Sequence, residues 1–447
     1  MKVDVERLEK NKVVLDVEVD SEELDKALQA GYRRLVNRVN VPGFRKGKAP
    51  RYILERHVGK GAILNEAFKI LFPDSYKRAV EQAGIEPVDE PEVDVVELEE
   101  GKPFKYKATV VVKPEVVLGD YKSIRMKPED VSVTPEEVER EVSFLRERHA
   151  ELVPDESGEV KEDSFPTIDF QGFVGDKELP GGAVNGFTFP IGSGYLLPGF
   201  EDQIKGARVG EEREIKVSLP SDYKDPELAG KEATFKVQIR DVKKKVLPEL
   251  DDDFAKEHGY ASLEEMRNDI SNKLLELKRN RARSAHEESV LKEVVDRAAV
   301  DIPEVMVKDK AAGLMQDLGR RLAQRNISLE EYLNATGQTM EGLEKQILEV
   351  AERKVKTELV LEAIAAREGI KADEQEVTKV IDDLAAAAKE DSVKVRRDLE
   401  AGGEVRRIRT ALTNDKVVKF LADTAEKNAA AVEGAESGGE PGALEDM

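Results

Sequence analysis

Between Pro248 and Asn428 the chain contains one further proline, Pro303. Proline removes a backbone donor and clashes with the preceding helical turn, so a stretch this long and nearly free of it is open to helix throughout. The start and stop signals agree. Ser262-Leu-Glu-Glu265 and Ser328-Leu-Glu-Glu331 are capping boxes, Asp373 with Glu376 is a similar start, and Gly369 is a stop. Met266, Ile270, Leu274 and Leu277 recur at helical spacing. One helix over 262–299 would be about 57 Å long at 1.5 Å per residue. That exceeds an ordinary globular helix and predicts an elongated, all-α C-terminal domain over 246–428. Apolar stripes fall on further helices at 303–325, 340–368 and 373–388. The tail, 429–447, is rich in Ala, Gly and Glu and is expected to be disordered.

The first 112 residues read differently. Val13, Leu15, Val17 and Val19 alternate with mostly polar neighbours, the period of a strand. Ser21 is placed to cap a helix running to about residue 39. A Gly/Pro/Lys loop follows over 42–50, then helices over 51–58 and 60–83, the second ending before Gly84. Strands at 92–98 and 103–112 are joined by a turn at 99–102. Residues 113–150 are a connecting arm broken by Lys113-Pro114 and Lys127-Pro128. Within it Thr134-Pro135-Glu136-Glu137 starts a helix whose face of Val138, Val142 and Leu145 needs a partner from elsewhere in the chain. Over 158–245, Gly, Pro and Phe concentrate. Runs of β character at 165–173, 213–219 and 233–242 predict a small antiparallel sheet domain, with one short helix at 199–205. The fold class is α+β and multidomain: an α+β N-terminal domain, an antiparallel β domain with a short helix, and an all-α C-terminal domain.

Composition excludes several functions. Among 447 residues there is no cysteine, which removes disulfides, thiol catalysis, iron–sulfur clusters and cysteine-held zinc. His57, His149, His258 and His286 are scattered, with no His-Glu-x-x-His pair, so no metal site is expected. No Gly-x₄-Gly-Lys-Ser/Thr loop is present, and no cofactor is expected. The N-terminus has no apolar signal region and no window approaches 18 apolar residues, so the expected compartment is the cytoplasm, with no membrane partner.

Charge supplies the first positive signal. Residues 33–60 hold nine basic side chains (Arg33, Arg34, Arg38, Arg45, Lys46, Lys48, Arg51, Arg56 and Lys60) against one acid, Glu55. The window therefore carries +8, and the other 419 residues carry −30 of the total −22. A chain so acidic repels nucleic acid on average, so contact with a polyanion must be local. At the centre of the window is Gly43-Phe-Arg-Lys-Gly-Lys-Ala-Pro50. Exposed, Phe44 would stack or fill an apolar notch while the cations meet phosphates. The competing reading is a solvated basic face with Phe44 folded back as an anchor.

This loop, Gly-Phe-Arg-x-Gly-Lys-x-Pro in an N-terminal α+β domain of this size, resembles the ribosome-docking signature of the bacterial trigger factor family. The resemblance implies a ribosome-binding domain over 1–112, docking beside the tunnel exit of the large subunit on a ribosomal protein and ribosomal RNA. Phe44, Arg45 and Lys46 would be the docking tip, with Gly43, Gly47, Lys48 and Pro50 completing it.

Residues 151–245 add Thr-Ile-Asp-Phe170-Gln-Gly172, Gly186-Phe187-Thr-Phe189, Leu196-Leu197-Pro-Gly199-Phe200-Glu and Ala233-Thr-Phe235-Lys-Val237. In order and spacing these are similar to FKBP-type peptidyl-prolyl isomerase domains. The resemblance places Phe170, Phe187, Leu196, Leu197, Phe200, Tyr223, Phe235 and Val237 around an apolar prolyl pocket without acid, base or metal. Such a pocket needs no nucleophile. The barrier to amide rotation is about 18–20 kcal/mol, and the twisted amide is less charge-separated than the planar one. A dry apolar site therefore favours the twisted form. The competing reading makes most of these aromatics plain core. The sequence departs from the isomerase pattern at Leu179-Pro180, where an aromatic and an acid are common, and at Phe200, where Trp is common.

The resemblance further implies that the helical region is a cradle for nascent and unfolded polypeptides, with a homodimer off the ribosome left open. The expected function is a ribosome-associated, ATP-independent chaperone with prolyl isomerase activity. The alternative is a holding chaperone whose isomerase domain is weak or silent. A dedicated RNA-binding protein is disfavoured by the −30 outside the basic window.

Overall fold

The computed structural model describes residues 1–175, 177–219 and 230–437. Strands β1 (Lys2–Arg7), β2 (Lys12–Val19), β3 (Glu92–Glu97) and β4 (Phe104–Val111) form an antiparallel sheet in the order β1-β2-β4-β3. Alternation decides which face is covered. Val13, Leu15, Val17 and Val19 of β2, with Phe104, Tyr106, Ala108 and Val110 of β4, are buried under two helices. These are α1 (Ser21–Arg38) and α3 (Lys60–Ala83), with the short α2 (Arg51–Val58) before the latter. Each fully buried Leu, Ile or Phe here stabilises the fold by about 1.5–3 kcal/mol. A Cβ on Gly31 would lie 3.1 Å from the Ala67 nitrogen and 3.3 Å from the Ile63 carbonyl oxygen, so glycine lets α1 and α3 approach. Ser21, expected to cap α1, is instead its first helical residue. Asp20 takes the cap position but makes no side-chain cap bond, because its carboxylate accepts from the Met1 ammonium at 3.0 Å.

The chain forms two compact units: Met1–Pro128 together with the chain from Ser284 onward, and Glu129–Arg283. The second unit begins with α4 (Pro135–Arg148), whose Thr134 and Glu137 make the expected capping box. Its sheet comprises β5 (Glu151–Pro154), β6 (Ser164–Val174), β7 (Lys177–Thr188), β8 (Glu212–Ser218) and β9 (Glu232–Val246). The order is β5-β9-β6-β7, with β8 also on β9, all antiparallel. The short α5 (Phe200–Ile204) contributes Phe200 and Ile204 to a core with Ile168, Phe189, Ile215 and Phe235. Strands β1, β5 and β7 are absent from the expectation above; β5 and β7 carry no clear apolar alternation, and in β1 only Val3 and Val5 alternate with polar residues. After the sheet come α6 (Asp252–Glu257) and α7 (Leu263–Arg297). The partner that the α4 stripe requires is here: Val138 and Val142 pack with Phe254, Ala255, Met266 and Ile270, and Leu145 lies against them.

The rest of the first unit is helical: α8 (Glu304–Gln324), α9 (Leu329–Thr336), α10 (Met340–Glu368), α11 (Glu374–Ala388), α12 (Ser392–Ala401) and α13 (Glu404–Ser437). The capping boxes at Ser328 and Asp373 and the left-handed stop at Gly369 are as expected. Residues 113–128 do more than connect. Tyr121 and Ile124 are buried with Val290, Val294, Val360, Ile364 and Leu421. The Asn428 amide donates to the Lys122 and Ile124 carbonyls at 2.7 and 3.0 Å. Disorder from Ala429 is corrected as far as Ser437, where α13 ends. Ala429, Ala430 and Ala431 have the highest helix propensity of any residue and extend a helix already nucleated by its packed part.

Candidate functional site

The loop after α1 is held from both sides. The Gly47 N–H donates to the Val36 carbonyl at 3.0 Å, and the Tyr32 hydroxyl donates to the Ala49 carbonyl at 2.7 Å. Between these anchors the Phe44 N–H reaches the Val41 carbonyl at 3.1 Å and the Lys48 N–H the Arg45 carbonyl at 2.9 Å. Gly43 and Gly47 sit at φ +86° and +81°, values that side chains resist. Val41 and Ala49 are buried, while Arg45, Lys46 and Lys48 are exposed and Phe44 is 39% exposed. Phe44 is thus not folded back as an anchor.

The nine cations divide into two groups. Arg34 and Arg38 lie 3.8 and 3.7 Å from Glu66, a nearly buried carboxylate on α3. Arg51 is held by Glu55 and Glu100 at 2.7 and 2.8 Å. The other six, Arg33, Arg45, Lys46, Lys48, Arg56 and Lys60, make no ion pair among the described residues. Sequence reasoning missed Tyr52 on α2, which is 69% exposed beside this surface. Its signal is the i, i+4 spacing to Arg56 on a helix face without other apolar residues.

In the second unit the structure brings seven of the eight expected pocket residues into one cluster. Phe170 is central: its ring lies 6.3 Å from Phe187, 6.1 Å from Phe200 and 6.0 Å from Phe235, each edge-on. Phe200 and Phe235 are 5.4 Å apart. Phe200 (1% exposed), Phe235 and Val237 are buried, so the core reading describes those three. Phe170, Phe187, Leu196 and Leu197 are half-buried and pack at the edge of that core. Tyr223 lies outside the described residues. A hollow of about 690 Å³ lies on the same sheet, lined mostly by polar residues such as Asp169, Gln171, Glu212, Glu214, Lys236 and Gln238, and also by Phe170 and Val237. Phe187, Leu196, Leu197, Phe200 and Phe235 of the expected set are not in its lining.

Two carboxylates fix the edge of the cluster, and the sequence reading gave neither a role. Glu201, in the first turn of α5, accepts the Gly192 N–H at 2.5 Å and the Gly194 N–H at 3.0 Å. It thereby holds the loop that leads to Leu196 and Leu197. Asp169 accepts the Gly186 N–H at 2.7 Å and the Arg240 guanidinium at 2.5 Å. These bonds, the backbone one first, hold its carboxyl below the usual carboxylate range and anchor the residue before Phe187. The N–H groups of Leu196 and Leu197 have no acceptor among the described residues.

Comparison with known proteins decides the family. The model described as "Bacterial trigger factor protein (TF)" matches residues 1–145, and its C-terminal counterpart matches 262–423. A curated trigger factor from Pelotomaculum thermopropionicum is 46% identical over 426 residues, covering 95% of this chain and 97% of that protein. The chain belongs to the bacterial trigger factor family. Trigger factors of Desulforamulus reducens and Moorella thermoacetica are each 42% identical, over 97% and 95% of this chain and 99% and 94% of their own. Between the two trigger factor matches, residues 156–240 match the FKBP-type peptidyl-prolyl cis-trans isomerase family. A solved trigger factor chaperone, described for promiscuous substrate recognition in folding and assembly, shares the fold. Its TM-score is 0.59 at 23% identity, over 95% of this chain and all of that one. No helix among the described residues is long and apolar enough to cross a membrane.

Proposed function

We propose that this chain is a cytoplasmic, ribosome-associated chaperone that binds nascent polypeptides at the tunnel exit without ATP and catalyses cis–trans exchange of X-Pro bonds. The domains proposed are 1–112 for ribosome binding, 151–245 for isomerisation and 246–428 for holding clients. The observation that carries docking is the exposed Phe44 tip among Arg45, Lys46 and Lys48, cations without ion pairs among the described residues, on a chain of net charge −22. Free cations release no internal ion pair on meeting phosphate, so their whole attraction goes to the partner.

For isomerisation, the half-buried Phe170, Phe187, Leu196 and Leu197 would grip the proline ring, with Phe200, Phe235 and Val237 as floor. The Leu196 and Leu197 N–H groups would meet the carbonyl before the proline. Each 1.36 kcal/mol removed from the rotational barrier speeds exchange about tenfold. The second reading, a weak or silent isomerase domain in a holding chaperone, draws support from the burial of Phe200, Phe235 and Val237.

Co-sedimentation with ribosomes tests docking. The chain altered to Phe44→Ala, Arg45→Ala and Lys46→Ala should stay folded and fail to pellet, and the wild type should dissociate as salt rises. Pelleting of the triple variant at the wild-type midpoint would remove the site. A protease-coupled X-Pro peptide assay on the full chain separates the two readings of 151–245.

A further inference from the structure

Along one face of α10, Val355, Glu358, Leu359, Glu362 and Ala365 recur at helical spacing. They line two adjoining hollows of about 550 and 750 Å³, which share Lys113, Glu358 and Glu362. The first is floored by Val88, Met306, Val355 and Leu359, with Asp309 at its rim. The second is bordered by Arg406, Arg407 and Arg409 of α13, with Thr410 and Asn414.

The charges between the two ends are already matched. Lys113 pairs with Glu362, Lys310 with Glu358, and Arg409 with Glu374. The side chains of Arg406 and Arg407 are exposed and have no ion pair or hydrogen bond among the described residues. The trough therefore has an apolar floor with Asp309 at the rim at one end, and two unpaired cations at the other. From Val355 to Ala365 it spans about 15 Å at 1.5 Å per residue, the reach of about four to five extended residues.

We infer that this trough binds an extended polypeptide segment whose apolar side chains are followed, four to five residues on, by Asp or Glu. Arginine presents a planar fork of donors that carboxylates match, and the fork is strongest where no internal acid competes for it. Outside residues 33–60 the chain carries −30, which repels acidic segments on average, so a preference for acid at this point rests on Arg406 and Arg407 against that field. The inference rests on the client-holding reading and names the client chemistry.

The test is fluorescence anisotropy on the full chain with two labelled twelve-residue peptides. One carries Leu-Phe-Leu followed five residues on by two Glu, and the other has Gln in place of both Glu. The wild type should bind the Glu peptide about tenfold tighter than the Gln peptide, as charge-assisted bonds to Arg require. Arg406→Gln with Arg407→Gln should abolish that difference and leave the Gln peptide unchanged. Met306→Glu, at the apolar end, should weaken both peptides. Equal binding of the two peptides, discrimination that survives the double variant, or no binding of either peptide overturns the inference. Light scattering of a diluted denatured client, run with the wild type, reports separately on holding: protection there with no peptide discrimination sinks only this site.

Discussion

The Tyr121 hydroxyl donates to the Glu368 carboxylate at 2.6 Å, across 247 positions of sequence. Lys122 reaches the same carboxylate at 2.8 Å, and Arg367 stands over the Tyr121 ring. The bond fastens the segment after the N-terminal sheet to the end of α10.

Burial first, then the Glu368 carboxylate, push the Tyr121 hydroxyl up to about 12. A folded-state value above the ordinary 10 contributes stability that is complete below pH 10 and is lost as pH rises through about 12. Lys122 and Tyr121 hold Glu368 below its ordinary value, so its contribution is present above that value and is lost as pH falls through the depressed one. Tyr121→Phe should cost about 1.5–3 kcal/mol near neutrality, as for a hydrogen bond to a charged group. Urea unfolding followed by circular dichroism should show the wild type losing this advantage between pH 10 and 12. A constant gap between the two proteins across that range would contradict the linkage.

Gly47→Ala should weaken ribosome binding about tenfold while the melting temperature changes little. A Cβ at this φ of +81° would approach Asn37 Oδ1 to 2.5 Å, and left-handed backbone costs a non-glycine residue about 1–2 kcal/mol. The loop tip should shift while Val36 and Ala49 stay packed. Unchanged co-sedimentation would mean that tip geometry does not govern docking.

Glu201→Gln should lower kcat/KM for an X-Pro peptide roughly three- to tenfold, because the amide oxygen replaces only one of two carboxylate acceptors. Glu201 acts on the loop through its bonds to the Gly192 and Gly194 N–H groups, so Glu201→Ala, which removes both, should lower activity further with unchanged circular dichroism. Wild-type activity in both variants would show that the bonds to Gly192 and Gly194 are incidental.

Phe187→Ala and Phe200→Ala should separate activity from stability. Phe200 is fully buried, and its truncation should cost about 3–5 kcal/mol. Phe187 is half-buried, so its truncation should cost roughly half as much and reduce isomerisation in a folded protein. Full activity of Phe187→Ala would take it out of the proposed wall.

Replacing 151–246 by a short Gly/Ser linker should leave a folded chain that still suppresses aggregation of a denatured client and has no isomerase activity. Glu151 pairs with Val246 and Pro154 with Lys243, so the two ends of this insertion lie side by side. The Arg146 guanidinium donates to the Pro248 carbonyl at 2.6 Å, and the α4 core with Phe254 and Met266 contains no residue of the sheet. Loss of protection by a folded deletion variant, seen in light scattering, would move the client surface to the isomerase domain.

What the sequence determined by itself is what is decided within a few residues. The capping boxes at Thr134, Ser328 and Asp373, the left-handed stops at Gly84 and Gly369, and the alternation of β2 and β4 each rest on hydrogen bonds or side-chain direction set locally. The basic loop was legible for the same reason, since its charge and glycines are consecutive. Tertiary structure decided whatever depends on distant partners. β1, β5 and β7 are strands because neighbouring strands supply their hydrogen bonds. Asp20 gives up its cap to the Met1 ammonium, and Glu201 becomes a loop anchor only once α5 faces Gly192. The trough on α10 exists because β4's following segment, α8 and α13 converge on one helical face. Bringing such groups together requires closing long loops, and that cost is met by the cooperative burial of a whole core.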